Sequence, residues 1–98
     1  MAIKSYQDLG TRDIAESVNS KEARRTLPLE LHNAARRRLG VMDAMISLSE
    51  LRTFPGWRLE ALKGDRLGQY SIRINNQYRI CFKWDGVDAS GVEITDYH

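Results

Sequence analysis

The sequence predicts an α+β fold, with N-terminal helices packed on one face of a mainly antiparallel, twisted sheet of about four to five strands. Three observations carry that expectation. Apolar residues follow a helical spacing before Pro55-Gly56 and a spacing of two from Trp57 onward. Turn signals at Gly64-Asp65, Asn75-Asn76-Gln77 and Asp85-Gly86 cut the second half into strand-length pieces. With 98 residues, of which 42% are hydrophobic, the chain is expected to form one domain over residues 1–98, able to bury a core but too short to split in two.

Ala2–Tyr6 reads as a short first strand. A polar segment follows, in which Leu9, Ile14 and Val18 face inward from a short helix. Pro28 suits the first turn of a longer helix, whose apolar face is Leu31, Ala35, Leu39, Met42 and Ile46, with His32 and Arg36 on another side. Gly40 marks a weak point where that helix is expected to bend or break. Ser47 and Glu50 have the spacing of a capping box and start a second short helix. In the meander, Trp57, Leu59 and Ala61 alternate with Arg58, Glu60 and Leu62. Tyr70, Ile72 and Ile74 then share a face, as do Tyr78, Ile80, Phe82 and Trp84. The loop Asn75-Asn76-Gln77 sets Ile74 against Tyr78 and therefore Arg73 against Arg79. Val92, Ile94 and Asp96 alternate on the last strand, after a bulge expected at Ser90-Gly91.

Composition narrows the function. The apolar runs are far shorter than the ~20 residues that cross a bilayer, and the N-terminus lacks an apolar signal core, so the expected location is the cytoplasm. Cys81 has no second cysteine to pair with, and one cysteine with His32 and His98 does not make a protein-only tetrahedral zinc site. No cofactor or metal is expected, and the chemistry falls to ordinary side chains. The net charge of +2 hides two basic blocks. Lys21, Arg24, Arg25, Arg36, Arg37 and Arg38 against Glu22 and Glu30 leave +4 on residues 21–40. Arg52, Arg58, Lys63, Arg66, Arg73, Arg79 and Lys83 against Glu60 and Asp65 leave +5 on residues 52–83. Such blocks fit a polyanion, or are solvated faces of a helix and a sheet.

If the apolar side of the meander packs under the helices, the other side presents Arg58, Glu60, Ser71, Arg73, Arg79, Lys83, Glu93 and Tyr97. Arginines directly across from one another repel unless an anion or a carboxylate lies between them. Two readings stay open at this point: Glu60 or Glu93 neutralises the pair, or the face holds a phosphate and protonates a leaving group.

Three runs of sequence add a resemblance. They are Leu59-Glu60-Ala61-Leu62-Lys63-Gly64-Asp65-Arg66, the stretch Gly68-Gln69-Tyr70-Ser71-Ile72-Arg73-Ile74-Asn75-Asn76-Gln77-Tyr78-Arg79-Ile80-Cys81-Phe82, and the closing Val92-Glu93-Ile94-Thr95-Asp96-Tyr97-His98. Together they resemble the HigB (plasmid-maintenance killer) branch of the RelE/ParE toxin superfamily, closely over residues 57–98 and loosely at Ile3-Lys4-Ser5-Tyr6. The resemblance implies a RelE/ParE-like fold and the toxin of a type II toxin–antitoxin pair that cleaves mRNA in the ribosomal A site. It implies as partners the ribosome with its mRNA and a helix-turn-helix, HigA-like antitoxin, with operator DNA reached only through the antitoxin and no membrane contact.

The family's functional positions fall on Lys63, Arg79 and the terminal Asp96, Tyr97 and His98, while Glu60 stands where some relatives carry histidine. The implied reaction is metal-free attack of a ribose 2′-hydroxyl on the adjacent phosphate. Lys63 and Arg79, with Arg73 nearby, meet at one spot and stabilise the phosphorane, while Tyr97, His98 and Glu60 divide the proton transfers. Tyr97 has a second reading as a stacking platform for a base. Arg36, Arg37 and Arg38, with Arg66 and Lys83, are candidate contacts to RNA or ribosome phosphates. Two rival functions are a ParE-like gyrase poison without nuclease chemistry and a non-catalytic RNA-binding module.

Overall fold

The computed structural model describes residues 2–96. Its elements are α1 (Leu9–Ala15), α2 (Lys21–Thr26), α3 (His32–Ala44), β1 (Glu60–Ala61), β2 (Gln69–Arg73), β3 (Tyr78–Trp84) and β4 (Ala89–Asp96), with 3-10 turns at Leu29–Leu31, Leu48–Thr53 and Gly64–Arg66. Four strands form one antiparallel sheet in chain order. The helices cover one face of it, as the α+β expectation requires.

Asp8 caps α1 by accepting from the Thr11 N–H at 2.7 Å. Of the three residues expected to face inward there, Ile14 is fully buried but Leu9 and Val18 are about half exposed. The helix is too short to carry all three: it ends at Ala15, and the chain turns away through Ser17 in a left-handed conformation. α2 has no counterpart in the sequence reading. Its signal is Ser20, whose hydroxyl accepts from the Ala23 N–H and donates to buried Asp13 at 2.6 Å. Where α1 meets α2 only glycine fits, because a Cβ on Gly10 would collide with Thr26 Oγ1 and lie 2.7 Å from the Glu22 carbonyl.

α3 buries Ala35, Leu39 and Met42 as its spacing requires, but Ile46 is 86% exposed. The helix stops at Ala44, and Met45, extended, takes the core position instead. The helix runs unbroken through Gly40. His32 is buried rather than on an outer side, its Nε2 lying 2.8 Å from the Leu27 carbonyl. The capping box forms: Glu50 accepts from the Ser47 and Ile46 N–H groups, which hold its carboxyl below the usual range, although the helix it starts is a 3-10 turn.

The sheet register matches the alternation. Ile72 pairs with Ile80 and Arg73 with Arg79. Cys81 faces Glu93 while Lys83 faces Ser90, so two residues of β4, Gly91 and Val92, oppose one of β3, Phe82, at a bulge, with Gly91 at φ +57 supplying the left-handed step. The first strand is reduced to two parallel bridges, Ile3 to Ala89 and Tyr6 to Val92, along the outer edge of β4. β1 is also shorter than its pattern, because Arg58 at φ +49 interrupts it before Glu60. Phe82, Ile72, Ile80, Val92, Leu39, Met42, Leu51 and Ile14 build the core between sheet and helices. Among the described residues, no helix is long and apolar enough to cross a membrane.

Candidate active site on the open sheet face

The uncovered face of the sheet is less open than its alternation implies. Glu60, Ser71, Cys81 and Glu93 form one row across it and Arg73, Arg79 and Thr95 the next. Yet Ser71 and Cys81 are fully buried, and Arg79 is only 8% exposed. Two segments fold over this face. The Gly64–Arg66 turn brings Arg66 across it, where Nη1 donates to Gln69 Oε1 at 3.0 Å and to Glu93 Oε1 at 2.8 Å, linking β2 to β4. Beneath it, burial pushes the Cys81 thiol up, against a lowering contact from Thr95, so the thiol stays protonated. The second segment runs from Trp57 to Glu60 and forms one wall of a cleft.

That cleft, of about 200 Å³, is lined by Arg58, Glu60, Arg73, Asn75, Asn76 and Arg79. Arg79 is its best-held member: Nε donates to Ser71 Oγ at 2.8 Å, Nη2 donates to the Arg58 carbonyl at 2.8 Å, and Nη2 lies 3.8 Å from Glu60 Oε1. Arg73 stands directly opposite and donates to Asn76 Oδ1. The two neutralising carboxylates are divided, Glu60 to Arg79 and Glu93 to Arg66. Among the described residues neither Arg73 nor Arg58 has a carboxylate partner, and the described lining of the cleft holds three arginines and one carboxylate. A phosphate is the group that such a set accepts. Arg58, Asn75 and Asn76 were not named as site residues from sequence; their signal was proximity, since Asn75-Asn76 is the turn between the two arginines.

Lys63, expected beside Arg79, is not among the residues that line this cleft. It is exposed and precedes the Gly64–Arg66 turn. The Leu62 N–H donates to the Gln69 carbonyl at 2.8 Å, which sets Lys63 beside the Gln69 end of β2. Lys83, exposed and opposite Gln69, stands at that same end. Tyr97 and His98 lie outside the described residues.

The helix arginines are committed elsewhere. Arg36 donates from Nε to the Ile14 carbonyl at 2.9 Å and from Nη1 to Asn33, tying α3 to α1. Arg38 donates from Nε to the Arg73 carbonyl at 2.9 Å and from Nη1 to the Ala34 carbonyl, and lies 4.8 Å over the Trp57 ring. Burial first, then Arg37, lowers its pKa. Of the three, Arg37 alone is fully exposed. The Trp57 ring is stacked on Phe54 at 4.0 Å, and its carbonyl accepts from the Arg73 N–H at 2.6 Å. Arg38 and Trp57 together therefore fix both backbone groups of Arg73.

Comparison with known proteins agrees with this architecture. The model of a family described as the RelE-like toxin of the type II toxin-antitoxin system HigB matches residues 7–98. Toxin HigB-1 of Vibrio cholerae serotype O1 is 47% identical over 64 residues, covering 64% of this chain and 67% of that protein. Endoribonuclease HigB of Proteus vulgaris is 30% identical over 96 residues, 98% of this chain and 99% of that one. Among solved structures, the YoeB-YefM complex from Staphylococcus aureus has a TM-score of 0.59 at 16% identity, with 100% of this chain and 99% of that chain covered. The YoeB dimer from the same organism, with the same identity and coverage, has a TM-score of 0.56. With the family model spanning nearly the whole chain and a full-length relative beside it, the protein belongs to the HigB family of RelE-like toxins of type II toxin–antitoxin systems.

Proposed function

We propose that this toxin is an endoribonuclease that cuts messenger RNA in the ribosomal A site, and that Arg79 is the centre of its active site. One observation carries the reading: a nearly buried guanidinium, fixed by Ser71 and the Arg58 carbonyl, lies in an arginine-lined cleft beside the half-exposed carboxylate of Glu60. The name of the full-length Proteus vulgaris relative, an endoribonuclease, supports the same class.

The ribose 2′-oxygen attacks the neighbouring phosphorus as Glu60 takes its proton; the bond from phosphorus to the 5′-oxygen breaks, leaving a 2′,3′-cyclic phosphate. Glu60, whose Oε1 lies 3.8 Å from Arg79 Nη2 at the cleft wall, is placed to act as the base. Arg79, with Arg73 opposite, stabilises the charge that builds on the phosphorane, and held donors of this kind act most strongly in the transition state. With Glu60 as the base, the proton for the leaving 5′-oxygen falls to Tyr97 or His98. Lys63 and Lys83, away from the cleft, grip message phosphates beyond the scissile one, and Arg37 serves docking to ribosomal RNA. The partner that restrains the toxin is a helix-turn-helix antitoxin.

Expression in cells, followed by mapping of mRNA ends, tests this. Codon-phased cuts with cyclic phosphate ends are the expected result. DNA damage with intact message would instead favour a gyrase poison, and neither outcome would leave a plain RNA-binding module.

A further inference from the structure

We propose that Ser71 is a positioning residue for Arg79, acting with the Arg58 carbonyl as a two-point cradle; this rests on the cleavage reading above. Ser71 occupies the middle of β2 on the face away from the helices, where a serine would ordinarily meet water, yet it is fully buried. A buried hydroxyl needs a partner, and its oxygen accepts from Arg79 Nε at 2.8 Å. The second point is the carbonyl of Arg58, 2.8 Å from Nη2.

Arg58 holds φ +49, which a residue with a Cβ adopts only when its surroundings compel it. The compelling contacts belong to Trp57: its ring is held between Phe54 and Arg38, and its carbonyl by Arg73. From that anchored residue the chain turns through the left-handed step and aims the next carbonyl into the cleft. Two acceptors on two different nitrogens fix the plane of a guanidinium as well as its place. A donor fixed in advance need not reorganise as charge develops on phosphorus, which is where its effect on rate arises.

The test measures single-turnover cleavage of message on programmed ribosomes by full-length Ser71→Ala and Ser71→Thr proteins. Ser71→Ala should lower kcat by about ten- to a hundredfold with KM little changed, as expected for a contact that counts in the transition state. Ser71→Thr, which keeps the oxygen, should restore most of the loss. Wild-type kcat in Ser71→Ala, or equal loss in both variants, would overturn the proposal. Should Ser71→Ala fail to fold, the Arg79 Nε–H resonance of the wild-type protein decides: slow exchange with water supports the cradle, and exchange as fast as an exposed arginine's refutes it. A wild-type protein that cuts no RNA would defeat the cleavage reading, and the same resonance would then judge the cradle separately.

Discussion

Arg36 and Arg38 on α3 and Arg73 and Arg79 on the sheet are the same side chain in two settings. On the helix, each guanidinium reaches far along the sequence to a backbone carbonyl, Ile14 for Arg36 and Arg73 for Arg38, and in doing so joins α1, α3 and β2. On the sheet, the strand register sets Arg73 across from Arg79, and both line a cleft whose described lining holds three arginines and one carboxylate. Charge density does not separate the blocks. What separates them is what the contacts do: the helix arginines tie elements together through distant carbonyls, while Arg73 and Arg79 line a cleft in which Arg79 is held by Ser71 and the Arg58 carbonyl.

Substitutions can break that contrast, and the largest effect belongs to the sheet. Arg79→Ala should reduce cleavage by about 10²–10³ and abolish growth arrest, while circular dichroism still shows a folded protein. Arg79→Lys should fail nearly as badly, because an ammonium cannot engage Ser71 and the Arg58 carbonyl at once. Arg38→Ala should act first on stability, by about 2 kcal/mol in urea denaturation, since it removes two charged hydrogen bonds and the contact with Trp57. Its effect on cleavage should follow from a loosened Arg73. Arg36→Ala should cost about 1 kcal/mol and leave the cleavage rate unchanged. Arg37→Ala, the smallest, should leave stability alone and lower the salt dependence of ribosome binding by about one unit of slope. A stability loss at Arg37 or none at Arg38 would undo the division drawn between these neighbours.

Most of what is local was legible in the residues. The loop Asn75-Asn76-Gln77 fixes the pairing of Arg73 with Arg79, Ser47 and Glu50 form their capping box, and Ala35, Leu39 and Met42 mark the buried side of α3. What sequence did not reveal depends on contacts between distant segments. Ser71 reads as a position on an open face, and is buried where Arg79, held by the Arg58 carbonyl, lies against its hydroxyl. Ile46 fits the helical spacing but follows the helix end. Lys63 reads as a partner for Arg79 because both belong to recognisable motifs, and motif order carries no information about which end of a strand pair each occupies.

The most direct measurement of the central claim is the rate at which purified toxin cuts ribosome-bound message, compared for the wild type, Arg79→Ala and Arg37→Ala at saturating protein. Cleavage by the wild type and Arg37→Ala, with that of Arg79→Ala down by about 10² or more, is the expected result. Undiminished cutting by a folded Arg79→Ala protein would contradict it.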